Sequence, residues 1–140
     1  MSEIYLISCV KSKRNYPCAA EALYTSTLFR KSLAYAKAQK PKKIFILSAK
    51  YGLLGLSDEI SPYEKTSNKM HKHERDDWAK SVFNNLKNHT NINNDHYVFL
   101  AGQRYRDGLI PLLLNYSIPM IGLPFGKQLQ WLERLSLIHI

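Results

Sequence analysis

The stretch Ile44-Phe45-Ile46-Leu47-Ser48-Ala49-Lys50-Tyr51-Gly52-Leu53-Leu54 decides how this chain is read. Its first four residues form a continuous apolar run, the pattern of a strand buried on both faces. The run stops in small, cationic and aromatic residues and then a glycine, which marks a loop leaving the strand's carboxyl end. The pattern recurs at Ile4-Tyr5-Leu6-Ile7-Ser8-Cys9, followed by Lys11 and Lys13, and at Tyr97-Val98-Phe99-Leu100-Ala101, followed by Gly102-Gln103-Arg104-Tyr105. Ligands of open parallel sheets bind in the crevice outside the carboxyl ends of the strands. Three strands that all exit into polar or cationic loops point to one shared site.

Outward from these runs the chain alternates strands and helices. Strand one, Ile4–Cys9, precedes a helix over about Ser26–Gln39, with Ser26 as N-cap and Pro41 as stop. Strand two is Lys43–Leu47. The segment Tyr51–Lys69 shows no period, and a connection that long inside a small domain is usually functional. A polar helix over about His71–Lys87 has Trp78, Val82, Phe83 and Leu86 on its inner face. An Asn-rich turn, Asn88–Asn94, leads to strand three at His96–Ala101. A helix over Arg104–Leu114, a short strand four at Ile118–Gly122 and a last helix from near Gly126 follow, the last carrying Leu129, Leu132 and Leu135 inward. The expected fold is a single three-layer α/β domain over residues 1–140. It has a mainly parallel sheet of four or five strands, helices on both faces and right-handed crossovers. Ile4–Ile7, Ile44–Leu47, Val98–Leu100 and Ile118–Ile121 should be buried.

Twenty Lys and Arg against eleven Asp and Glu give a net charge of +9. Such a surplus favours a polyanionic partner, because phosphate neutralisation with counterion release dominates sequence-independent nucleic-acid affinity. Solubility alone is the simpler account of it. No apolar run reaches the roughly 20 residues of a membrane helix, and no signal-peptide pattern opens the chain. The expectation is a cytoplasmic protein without membrane contact. Cys9 and Cys18 match neither a zinc spacing nor a CxxC redox motif. His71 and His73, at i and i+2, do not share a helix face. No metal and no cofactor are expected.

The candidate site residues follow the strand ends. Ser8, Cys9, Lys11 and Lys13 leave strand one, as a phosphate-holding loop or as a source of a nucleophile, which the serine, the cysteine or a lysine beside another cation can supply. Ser48, Lys50, Tyr51 and Gly52 leave strand two. Gly102 and Arg104 open a helix after strand three, an arrangement that can hold an anion or form a plain turn. Gln128, after strand four, can reach a base edge or cap its helix. Tyr51 and Tyr63 are available to stack on bases. Asp58 in the long loop can stabilise the sugar cation that develops when an N-glycosidic bond breaks, or can serve the turn itself. In that scheme Asp58, Lys11 and Lys50 are the candidate catalytic residues and the others bind substrate.

Ser48-Ala49-Lys50-Tyr51-Gly52-Leu53-Leu54, followed by Asp58 and Ile60-Ser61-Pro62-Tyr63-Glu64, resembles the S-x-x-Y-G-L-L … D-x-I-x-P-Y block of the YaaA peroxide-stress family. Ile7-Ser8-Cys9-Val10-Lys11-Ser12-Lys13 resembles its amino-terminal strand and lysine-bearing loop. Small bacterial and phage domains of unknown function related to YaaA look closer still, sharing Leu23-Tyr24-Thr25-Ser26-x-Leu28-Phe29 and Gly126-Lys127-Gln128-Leu129-Gln130-Trp131-Leu132. A domain of archaeosine synthase, which acts on a modified base in transfer RNA, is more distantly similar. YaaA proteins are longer and bind DNA through a helix-hairpin-helix element with no obvious counterpart here, so DNA binding does not carry over. The resemblance implies a nucleobase or nucleic-acid context, with Ser8, Lys11, Lys50, Tyr51, Gly52, Asp58, Pro62 and Tyr63 at the site. It implies no reaction. Three functional classes follow: a base-processing enzyme such as an N-glycosidase, a non-catalytic module binding DNA or RNA, and a small nucleotide-binding sensor.

Overall fold

Ile4–Ile7, Phe45–Leu47 and Tyr97–Leu100 are buried side by side as the middle of one sheet in the computed structural model. The structure describes residues 2–8, 13–63 and 70–138, with side chains as far as 134. In chain order the elements are β1 (Glu3–Ser8), β2 (Cys18–Ala19), α1 (Ala20–Leu23), α2 (Thr27–Ala38), β3 (Lys43–Ser48), β4 (Gly52–Gly55), β5 (Glu59–Ile60) and α3 (Lys72–His89). They continue with β6 (His96–Leu100), α4 (Gln103–Arg106), β7 (Tyr116–Ser117) and α5 (Phe125–Ile138). The main sheet has the order β4-β3-β1-β6-β7, and β2 and β5 form a separate two-stranded ribbon. Within the sheet β1 is parallel to β3 and β6, β6 is parallel to β7, and β4 is antiparallel to β3. This is an α/β domain with a mostly parallel five-stranded sheet, as the alternating pattern implies.

The register divides the strand side chains between two faces. Leu6 lies beside Phe45 and Phe99, and Tyr5 beside Ile44 and Val98. Phe45 meets the ring of His89 at the end of α3, and Tyr97 bonds Thr90 just beyond it, so this face belongs to α3. Tyr5 meets Tyr35 of α2, which in turn meets Trp131 of α5, so the other face is covered by α2 and α5. Continuous apolar strands are what a sheet covered on both faces requires.

Local chemistry explains the helix limits. Ser26 Oγ accepts the amide of Phe29 at 3.1 Å and caps α2. The chain leaves α2 through Lys40, which takes a positive φ of 52°, immediately before Pro41. In α3 the buried Ala79, Val82 and Leu86 follow the i, i+3, i+7 spacing of a core-facing stripe.

Three segments differ from the sequence expectation. The connection after Tyr51 contains β4 and β5, because Gly52 and Gly55 bracket a short edge strand with alternating burial. The expected helix over Arg104–Leu114 is only the four-residue α4 and a 3₁₀ turn at Ile110–Leu112. Between them Gly108 comes so close to α3 that a Cβ there would lie 2.7 Å from the Cβ of Ala79. The last strand is β7, before rather than at Ile118–Gly122, where Pro119 cannot donate to a ladder and turns follow. Met120 is buried, but Ile121 is 65% exposed and not part of the core.

Candidate functional site

The order of the sheet creates a crevice at its carboxyl edge. From β1 the chain crosses over α2 to β3 on one side, and later reaches β6 on the other side of β1 through α3. Adjacent strands whose connections diverge in this way leave a gap above their carboxyl ends. Here Ser8 Oγ accepts the amide of Gly102 at 3.1 Å, joining the ends of β1 and β6 across that gap. The Gly102 amide is thereby engaged by the protein, and α4 behind it is a single turn with Arg104 exposed. Cys9 and Lys11 lie outside the described residues.

Three hydrogen bonds converge on Ser48 at the carboxyl end of β3. Ser48 Oγ, fully buried, accepts the amide of Tyr51 at 3.0 Å and donates to the Tyr63 hydroxyl at 2.8 Å. The Tyr63 oxygen lies 2.7 Å from that of Tyr24, so a buried chain of three hydroxyls links β3, the segment after β5 and the start of the α2 region. The carbonyl of Ser48 accepts from Trp78 Nε1 at 2.8 Å, which ties α3 to the same strand end. Gly52, with φ of +76°, turns the chain back into β4, a conformation that glycine adopts at little cost. Together these contacts fix the turn Ala49–Tyr51.

Cations and rings gather around the turn. Lys13 Nζ stands 4.4 Å from the centroid of Tyr63 and Lys50 Nζ 5.2 Å from that of Tyr51. Tyr51 meets Tyr63 edge-on at 5.4 Å, and its hydroxyl donates to the carbonyl of Ser61. Ser48, Lys50, Tyr51, Gly52, Tyr63 and Lys13, named from sequence, are thus brought together.

A cavity of about 360 Å³ opens beside this turn, between it and α3. One wall is Ala49–Gly52. The other is Glu74, Asp77, Trp78 and Ser81, with Met70 at its end. The volume falls in the range of small-molecule sites. Trp78 is held by its bond to Ser48 and by an edge-on contact with Tyr105 at 5.5 Å. The sequence reading missed Glu74, Asp77 and Ser81. Their signal was present, since with Trp78 they fall at i, i+3, i+4 and i+7 and share one face of a helix.

Two candidate residues stand apart. Asp58 Oδ2 accepts the amide of Gly55 at 2.8 Å, and the Asp58 amide donates back to the Gly55 carbonyl, closing the turn after β4. Since Gly55 pairs with Phe45 and Gly52 with Ser48, the chain has by then retreated roughly 10 Å from the carboxyl edge. Gln128 Nε2 donates to the carbonyl of Leu123, a local bond at the start of α5. The contacts Lys31–Glu133 and Tyr35–Trp131 run in opposite order along α2 and α5. The first turn of α5 is therefore at the far end from Ser48, and Gly122–Gln128 do not join the other loops.

Among the described residues no group of three or more His, Cys, Asp or Glu is placed to hold a metal ion. No helix among them is long and apolar enough to cross a membrane. Residues 4–134 match a family of unknown function, DUF6884, and the chain belongs to that family. No curated protein matches it.

Proposed function

For this member of a family without an assigned activity, we propose a nucleotide- or nucleic-acid-directed protein that works at the carboxyl edge of its sheet. The cavity between the β3–β4 turn and α3 takes the base, and Lys50 and Arg104, with Lys13 behind the turn, attract its phosphates. The observation that carries this reading is a cavity with Tyr51, Trp78 and Lys50 in its lining, in a chain of net charge +9. Aromatic rings stack on any base, and lysine meets phosphate as a point charge. The sequence resemblance to YaaA and, more distantly, to archaeosine synthase supports the same context and nothing more specific.

A second reading, a base-processing enzyme such as an N-glycosidase, is favoured by carboxylates in the same lining. Breaking that bond develops positive charge on the sugar, which a nearby carboxylate stabilises. Glu74 and Asp77 are in the cavity, whereas Asp58 is engaged in its own turn. Incubation with natural and modified DNA and RNA, followed by mass spectrometry for released base, decides between enzyme and binding module.

Trp78 and Trp131 are the two tryptophans. A Trp131→Phe protein therefore reports on the cavity through Trp78 fluorescence. Mononucleotides and short DNA and RNA strands should quench it, with affinity falling as salt rises. Unchanged fluorescence and no binding at low salt by any of them would remove the proposal.

A further inference from the structure

Resting on the nucleotide reading, we propose that the cavity selects bases that carry an exocyclic amino group over their oxo counterparts, with Asp77 as the selecting residue. The two walls of the cavity differ in charge. Lys50 comes from the turn, and Glu74 and Asp77 come from α3. A nucleotide is itself polar in this sense, with a dianionic phosphate at one end and a hydrogen-bonding base edge at the other. Phosphate is attracted to the lysine wall and repelled by the carboxylate wall, so the base edge is directed at α3.

The stacking partner is held in place. Trp78 is bonded through Nε1 to the Ser48 carbonyl and braced by Tyr105, so its ring does not turn to suit a ligand. Asp77 is its neighbour in the chain and shares the cavity lining. On the same helix Asp76 pairs with Lys72, but among the described residues Asp77 has no ion-pair partner. An ionised carboxylate is an acceptor only. Set against the exocyclic position rather than the ring nitrogen, it accepts from the amino group of cytosine or adenine and repels the carbonyl oxygen that replaces that group in uracil or hypoxanthine. Attraction to one base and repulsion of its analogue act in the same direction.

The matched pairs CMP/UMP and AMP/IMP differ at that group and in the proton gained by the ring nitrogen beside it, and Trp78 quenching in the Trp131→Phe protein measures each. The amino member of each pair should bind about tenfold more tightly, the scale of one hydrogen bond to a charged group in an open site. Asp77→Asn offers both a donor and an acceptor and should bring each pair within about twofold. Asp77 is exposed, so this variant keeps the fold. Equal affinity within the pairs, a preference for UMP and IMP, or an undiminished preference in Asp77→Asn overturns the selection and leaves nucleotide binding standing. Failure of every mononucleotide and oligonucleotide to bind removes both.

Discussion

The hydroxyl of Ser48 donates to that of Tyr63 at 2.8 Å while accepting the amide of Tyr51 at 3.0 Å, and both Ser48 and Tyr63 are buried. One buried side chain thus holds the turn that forms a wall of the cavity and the segment that follows β5. The buried Tyr24 hydroxyl completes the chain.

Ser48→Ala should destabilise the protein by about 1–3 kcal/mol, since it removes the side-chain acceptor of the Tyr51 amide and one of the two hydroxyls that the Tyr63 hydroxyl meets. Tyr63→Phe should fall in the same range. The double variant should cost less than the sum of the two, because both changes remove the same bond. Urea unfolding of the four proteins tests this, and strict additivity would show that the chain of hydroxyls does not act as a unit.

Gly108→Ala should cost about 1–3 kcal/mol through overpacking, because its methyl would meet the Cβ of Ala79 at 2.7 Å. Ala79→Gly in the same protein should recover part of the loss. Gly52→Ala tests a different effect. Its methyl finds Val82 at 3.7 Å, an ordinary contact, so the cost of about 1–2 kcal/mol comes from the positive φ. No change at Val82 should relieve it. Thermal unfolding distinguishes the two mechanisms.

Burial raises the phenols of Tyr5, Tyr35 and Tyr97 above the ordinary value of 10.0, with the carboxylates of Glu3 and Asp95 adding to the effect. Below pH 10 the folded and unfolded chains both keep these protons. As pH rises beyond 10 the unfolded chain releases them first, so the folded state loses stability through the range up to its own raised values. Of the nine tyrosines, these three should ionise late or together with unfolding when tyrosinate absorbance is followed. Full ionisation of all nine near pH 10 in a folded protein would contradict the burial argument.

If Lys50 meets phosphate, Lys50→Ala should weaken binding of oligonucleotides of every sequence alike. It should also reduce the slope of log affinity against log salt by about 0.7–0.9. A slope unchanged within error would place Lys50 away from the phosphates. Anisotropy titrations at several salt concentrations give the value.

The three central strands were legible because a strand covered on both faces needs an unbroken apolar run, and Ile4–Ile7, Ile44–Leu47 and Tyr97–Leu100 supply one each. The cap at Ser26 was legible because its effect is local. β4 was not: Gly52-Leu53-Leu54-Gly55 has the composition of a loop, and it becomes a strand only by pairing with β3. The misplacement of β7 has a related cause, since two residues carry no period and the apolar Ile118–Ile121 drew the assignment past Pro119. The placement of the strand-end residues Ser8, Ser48, Lys50, Tyr51 and Gly102 at one edge was legible because topology alone sends them there. Asp58 and Gln128 were drawn in by their chemistry, but local bonds to Gly55 and Leu123 engage them elsewhere. The α3 wall was overlooked because a polar helix face resembles a solvated one until a turn is set against it.

The central position of β1 has a consequence for synthesis on the ribosome. Glu3–Ser8 is made before both of its neighbours; β3 can join it on one side once Lys43–Ser48 is made, but its other neighbour is His96–Leu100. Throughout that interval one edge of a strand that the finished fold buries has unpaired backbone groups, the condition that invites association between nascent chains. Stalled chains ending before His96 should therefore be captured by chaperones and cut readily by protease. Those extended past β6 should resist both, because β1 then has a neighbour on each side.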